Sequence, residues 1–189
     1  MRPGIFSFII AALLFGIVTT GCSAKPALHG GVINSPLSAP EIRMDDQNGN
    51  TFQLSALHGK IVLVFFGFTN CVEECPLTMA HLKVARQELG EDAGNVQVVM
   101  VSTDPFNDTR QAMQDFLGKF DPGFIGIPGT QEQLSKLWKD YGVVVLDGGE
   151  THSSFTYVVD LNGKIRETFD PQTTPEDMAS DLKILLSEK

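Results

Sequence analysis

Two thiols define the chemistry available to this chain. Cys71-Val-Glu-Glu-Cys75-Pro76 follows the apolar run 61–66 after a spacer of four residues, and a helix-forming stretch comes after it. In a helix, the i,i+4 step puts both sulfurs on one face with Cβ atoms roughly 5–6 Å apart. Such a pair closes to a disulfide with modest adjustment, or holds one metal ion between two sulfurs. A helix N-terminus favours the thiolate form through its dipole and its free N–H groups. Glu73 and Glu74 work against this by adding negative charge beside the sulfurs, so the pair is not marked as a strong oxidant. A structural disulfide is the plain alternative, but so short a loop gains little entropy from closure.

Two thiolates select soft ions, Cu(I) first and Zn(II) next, and a third ligand is then expected, an imidazole above all. The chain has 4 His. His29 falls in a region that reads as a tether, and His58 in the turn before the central strand. His81 is six residues past Cys75, on a different helical face. His152 stands just before an apolar strand, 155–159, at the entrance where a thioredoxin-like sheet faces its dithiol. It is the best-placed candidate, with a loop His that binds backbone groups as the alternative. Met79, Met113 and Trp138 read as packing residues, and Asp104-Pro105 as a turn beside the Cys loop.

The elements that position these groups follow from patterning. Residues 41–54 alternate around Asn48-Gly49 and predict a hairpin, because both residues tolerate the positive φ of a tight turn. Residues 61–66 are apolar on both faces, as a strand covered on both sides must be. A helix is expected over 77–89 and a second buried strand over 96–101. Asp108 is expected to cap a helix over 109–120, followed by a short strand at 124–127. Thr130 and Gln133 have the form of a capping box for a helix ending at Tyr141. Strand-like residues 143–146, a Gly148-Gly149 loop, a hairpin over 155–169 around Asn162-Gly163 and a final helix opening at Thr174-Pro175 complete the chain. The order predicts an α/β fold: a thioredoxin-like three-layer sandwich with a mixed central sheet and an added N-terminal hairpin.

Composition narrows the partners. A hydrophobic content of 42% over 189 residues suits one globular domain, and the net charge of −9 with scattered basic residues argues against nucleic acid. Residues 1–21 carry a short positive start, 14 mostly apolar residues at 5–18 and a small-residue close, which is the pattern of an export signal. Cys22 after these small residues resembles a bacterial lipoprotein processing site, with Thr19 where such sites usually carry Leu, and an uncleaved N-terminal anchor is the alternative. Residues 22–40, with Gly30-Gly31 and three Pro, read as a flexible tether, which leaves 41–189 as the folded domain. Either route predicts an extracytoplasmic, membrane-anchored protein in which Cys71 and Cys75 can be oxidised.

The sequence resembles the Sco/SenC family of copper-binding assembly factors from Asp46 to the last helix. The matching stretches are 46–54, 59–69, Cys71 to Pro76, Ser102-Thr-Asp-Pro105 with Asp108-Thr109, 124–127, His152-Ser153 and 160–163. Cys-x-x-x-Cys-Pro after Phe-Phe-Gly-Phe-Thr is the specific part. Thioredoxins use Cys-x-x-Cys, usually after a Trp, and no Trp precedes Cys71. The resemblance implies one copper, Cu(I) or Cu(II), held by Cys71, Cys75 and His152. It also implies a role in metallating, or in reducing the cysteines of, the dinuclear copper centre of cytochrome c oxidase. Val72, Thr151 and Arg110 depart from residues common in that family and remove no ligand. Two competing functions remain at this stage: an extracytoplasmic thiol–disulfide oxidoreductase acting on a copper-site or other exported protein through Cys71 and Cys75, and a peroxidase-like enzyme, for which no Arg near the Cys speaks.

Overall fold

All seven residues of the strand Ile61–Gly67 are buried, because this strand runs through the interior of a six-stranded sheet. The computed structural model describes residues 27–146 and 151–188. In chain order the elements are β1 (Gly31–Ser38), β2 (Arg43–Asp45), β3 (Thr51–Gln53), β4 (Ile61–Gly67), α1 (Glu74–Gln87), β5 (Val96–Ser102), α2 (Arg110–Leu117), β6 (Ile125–Ile127) and α3 (Gln131–Tyr141). Then follow β7 (Val145–Leu146), β8 (Thr151–His152), β9 (Thr156–Val159), β10 (Lys164–Phe169) and α4 (Pro175–Leu186). The main sheet has the order β1-β10-β9-β4-β5-β6. β4, β5 and β6 are parallel, while β9, β10 and β1 add antiparallel strands on the other side.

Alternation along β4 divides the core into two layers. Ile61, Leu63 and Phe65 pack with Met79 and Leu82 of α1, Met113 and Leu117 of α2, and Leu182 of α4. Val62, Val64 and Phe66 pack on the opposite face with Phe52 of β3 and with Leu134, Trp138 and Tyr141 of α3. Each fully buried Phe contributes roughly 1.5–3 kcal/mol. This is the thioredoxin-like three-layer arrangement with a mixed sheet, and β2–β3 form the separate hairpin expected around Asn48-Gly49. Gly49 has φ of 83°, which explains the turn residue. Met79, Met113 and Trp138 are core residues as read, and the Thr130–Gln133 capping box is present.

Two expectations are corrected. The stretch 22–40 is not all tether, because Gly31–Ser38 is an edge strand paired antiparallel to β10. The sequence hid it because an edge strand buries neither face: β1 carries no buried residue, so no alternation marks it. The folded unit therefore begins before Glu41. Asp108, expected as a helix cap, is not the cap of α2. Thr109 takes that place, its side chain accepting from the Ala112 N–H, and Asp108 is free for another task. Helix α1 also begins at Glu74, three positions before the periodicity starts at Leu77, which brings Cys75 into its first turn. The signal at 1–21, the lipid site at Cys22 and the Gly148-Gly149 loop lie outside the described residues.

Candidate metal centre

The site forms where β4 ends and α1 begins. Gly67 ends the strand against the buried thiol, and a Cβ placed on it would stand 3.0 Å from Cys75 Sγ. The N-cap residue Glu73 makes no side-chain cap bond. The helix start instead uses sulfur: the Cys75 N–H donates to Cys71 Sγ at 3.3 Å. Cys71 thus sits where a helix offers free N–H groups and positive potential. It is partly exposed while Cys75 is fully buried, and both thiols are free. Burial pushes the Cys75 thiol well above its ordinary range, and Cys71 and Glu74 push the same way, against a pull from the Phe68 backbone. Such a sulfur keeps its proton until a cation arrives to replace it.

His152, in β8, reaches this thiol from a part of the chain 77 residues away, with Nε2 3.9 Å from Cys75 Sγ. Its other nitrogen, Nδ1, lies 3.2 Å from the Ser153 carbonyl oxygen. That contact requires the proton on Nδ1 and leaves the Nε2 lone pair facing sulfur, the tautomer a metal ligand needs. The rings of Phe65 and Phe68 flank the imidazole edge-on, with centroids 6.1 and 5.9 Å away. Ser154 ties this segment to the helix start by donating to Glu74 Oε2 at 2.8 Å. Ser154 had no signal in the sequence; Phe65, Phe68 and Ser153 fall in the resembling stretches, but only the fold shows that they surround the imidazole.

The donor set fits a soft ion. Metal–sulfur and metal–nitrogen bonds of about 2.3 and 2.0 Å, opened to 110–130°, place the two donor atoms about 3.5–3.9 Å apart, the upper end of which is the separation found. Among the described residues no three His, Cys, Asp or Glu side chains already stand as a coordinating group. The Cys71 sulfur, the more exposed of the pair, has to turn from the helix start to complete a three-donor shell. His58 and His81 are not brought to the site. His29 binds Asp181 instead, Nδ1 to Oδ1 at 2.7 Å.

Asp108 braces the loop that carries Cys71. The Thr69 N–H and hydroxyl both donate to Asp108 Oδ1, at 2.9 and 2.7 Å. The Ser102 hydroxyl donates to Asp108 Oδ2 at 2.6 Å. Burial lifts this carboxyl above its ordinary range, while the bonds from Ser102 and Thr69 pull it down. Asp104 accepts from the N–H groups of Phe106 and Asn107, both at 3.2 Å, and shapes the turn beside it. Asp104 and Asn107 line a cleft of about 500 Å³ with Phe68, Asn70, Cys71, Val72, Glu73 and Glu74. None of these lining residues is basic. A larger cleft of about 670 Å³ lies between the hairpin and the starts of α2 and α3, but no thiol or imidazole lines it.

A strand-to-helix dithiol on a thioredoxin-like sheet, faced by an imidazole on a separate strand, defines a thioredoxin-fold protein built for thiol or soft-metal chemistry. The SCO1/SenC family profile matches residues 35–187. The chain belongs to that family. It is 30% identical over 152 residues to the SCO2-like protein RC0895 of Rickettsia conorii, covering 76% of this chain and 74% of that one. Among solved structures it is similar to Bradyrhizobium japonicum ScoI with copper bound, with 31% identity and a TM-score of 0.72, covering 79% of this chain and 100% of that one. It is likewise similar to the apo Sco1 protein of Thermus thermophilus, with 29% identity and a TM-score of 0.75, covering 85% and 98%.

Proposed function

We propose that this protein is a copper chaperone. It binds one copper ion through Cys71 Sγ, Cys75 Sγ and His152 Nε2, and delivers it to the dinuclear copper centre of cytochrome c oxidase or to another exported copper protein. The observation that carries the reading is the 3.9 Å approach of His152 Nε2 to Cys75 Sγ across 77 residues of chain. Family membership and the copper bound in the Bradyrhizobium relative support the choice of metal. Copper is cargo here, and transfer proceeds by ligand exchange: an incoming thiolate replaces one protein sulfur, and no electron need move. Val72, 89% exposed, lines the Cys71 cleft, and Phe106, 77% exposed, lies in the turn between the cleft residues Asp104 and Asn107, a surface suited to an acceptor. Titration of the reduced domain with copper should give one tight site, weakened at least tenfold by His152→Ala. A smaller loss removes His152 from the site.

The bond from the Cys75 N–H to Cys71 Sγ favours a second, compatible activity. The Cys71 thiolate attacks one sulfur of an oxidised target, forming a mixed disulfide and releasing a target thiolate. Cys75 then attacks Cys71 Sγ and releases the second target thiolate, leaving Cys71–Cys75 oxidised by two electrons and the target reduced. Trapping of the mixed disulfide with Cys75→Ser supports this step; failure to reduce any oxidised copper-site peptide sinks it.

The same reading places the domain outside the cytoplasm, with 1–21 removed as a signal and a lipid on Cys22. Mass spectrometry of protein extracted from membranes should find a lipid-modified Cys22 at the N-terminus. An intact Met1 would establish the uncleaved anchor instead.

A further inference from the structure

At the far edge of the sheet, Glu167 is fully buried and neither of its carboxylate oxygens has a hydrogen-bond partner. Its strand β10 lies between β1 and β9, where Glu167 pairs with Val32 and Val158. The group it faces from α4 is Asp181, also fully buried. Two carboxylates in that position repel each other, and burial makes the charge costlier still. One proton held between them removes both problems, because a protonated Glu167 can donate to Asp181.

The arm before β1 closes this pair off. The N–H groups of His29 and Gly30 both donate to Asp181 Oδ2, at 2.7 and 3.0 Å, and the His29 ring meets Oδ1 at 2.7 Å. Gly30 lies directly over the other carboxyl: a Cβ there would stand 2.7 Å from Glu167 Oε2. The remaining charged neighbours are Asp177 of α4, 3.7 Å from His29 Nε2, and Arg166, whose side chain is taken by Asp160 and Glu188. Arg166 draws the Glu167 carboxyl down, but less than burial and Asp181 push it up. β1 is an edge strand with no buried residue, Val32 and Leu37 among its exposed ones, so lifting it costs less than opening a central strand.

We propose that the Glu167–Asp181 pair, closed over by His29 and Gly30, is a proton-operated latch that holds the N-terminal arm against the domain and releases it when the proton is lost. Release frees residues 29–38, which lets residue 29 stand up to about 35 Å from the domain. The sign is the same for both titrating groups. Burial, then the charge of Asp181, pushes the Glu167 carboxyl up to about 8 from 4.5, so the docked state holds a proton that the open state gives up. Docking, as far as it shields Glu167, is therefore stronger on the acid side and weakens as pH rises towards 8. His29 is raised by its bond to Asp181, so its contribution is also present at low pH and lost as pH rises.

The test is hydrogen exchange of the full chain, read as protection factors to remove the intrinsic pH dependence. Between pH 6 and pH 8 the amides of 31–38 should lose protection roughly tenfold or more, while those of β4 and β5 stay unchanged. Glu167→Gln, which cannot lose the proton, should hold the arm closed across the range. Loss of protection in parallel in the variant and the unaltered chain, or in β1 and β4 together, overturns the latch. A second reading needs no variant: the Glu167 side-chain carbon, followed by NMR, should titrate far above the free carboxyl range. Titration near 4.5 also overturns it.

Discussion

At the dithiol, the buried ionisable group is a thiol that faces a lone pair; at the sheet edge, it is a carboxyl that faces another carboxylate. Cys75 and Glu167 are both fully buried, and burial raises both above their ordinary range. What differs is the neighbour and therefore the cation each can accept. Sulfur and imidazole offer two donors that a single soft ion can join, with a second sulfur close by as the third donor. Two carboxylates in contact, screened by a glycine and by backbone N–H groups, have room only for a proton. The same desolvation thus prepares one region for a metal and the other for a proton.

The contrast can be broken most forcefully at the metal end. Cys75→Ser replaces the soft, buried donor with a hydroxyl of similar size. Copper affinity, measured by competition with a chelator, should fall by more than a hundredfold, whereas Glu167→Gln should leave it unchanged. Comparable copper losses in both variants would erase the distinction between the two regions. Asp108→Ala comes next. It leaves the Thr69 and Ser102 donors without their acceptor, and should cost about 2–3 kcal/mol in urea unfolding. Its copper affinity should also fall, because Thr69 no longer holds the Cys71 loop.

At the sheet edge the effect is smaller and has a definite sign. Stability of the unaltered chain should decline between about pH 4.5 and 8 by the share that Glu167 contributes. Glu167→Gln should remove that part of the slope, as seen by comparing urea midpoints at the two ends of the window. The smallest effect is expected at Trp138, whose Nε1–H donates to the Ser102 carbonyl oxygen at 2.9 Å. Trp138→Phe loses that bond and some packing, about 1–2 kcal/mol, and should leave both regions working. A change in copper affinity there would mean that the end of β5 positions the site more strictly than the contacts indicate.

Much of this molecule was legible from its residues because local chemistry and burial leave periodic marks. A strand apolar on every position has to lie between two layers, so residues 61–66 identified the middle of the sheet. The step from Cys71 to Cys75 placed two sulfurs at a helix start, and Thr130 and Gln133 declared their own capping box. His152 could be singled out by its place before a strand. Its distance from Cys75, its tautomer and the Phe65 and Phe68 rings around it came only from the folded chain, since they join residues far apart in sequence. The roles of Asp108 and of β1 were settled in the same way. An acid one residue before a Thr reads as a cap until its oxygens are seen to meet Thr69 and Ser102. An edge strand with neither face buried reads as a tether until β10 is seen to supply its backbone partners. Glu167 shows the limit most clearly: in sequence it is one more acid in a polar strand, and only tertiary packing buries it against Asp181 and makes its proton matter.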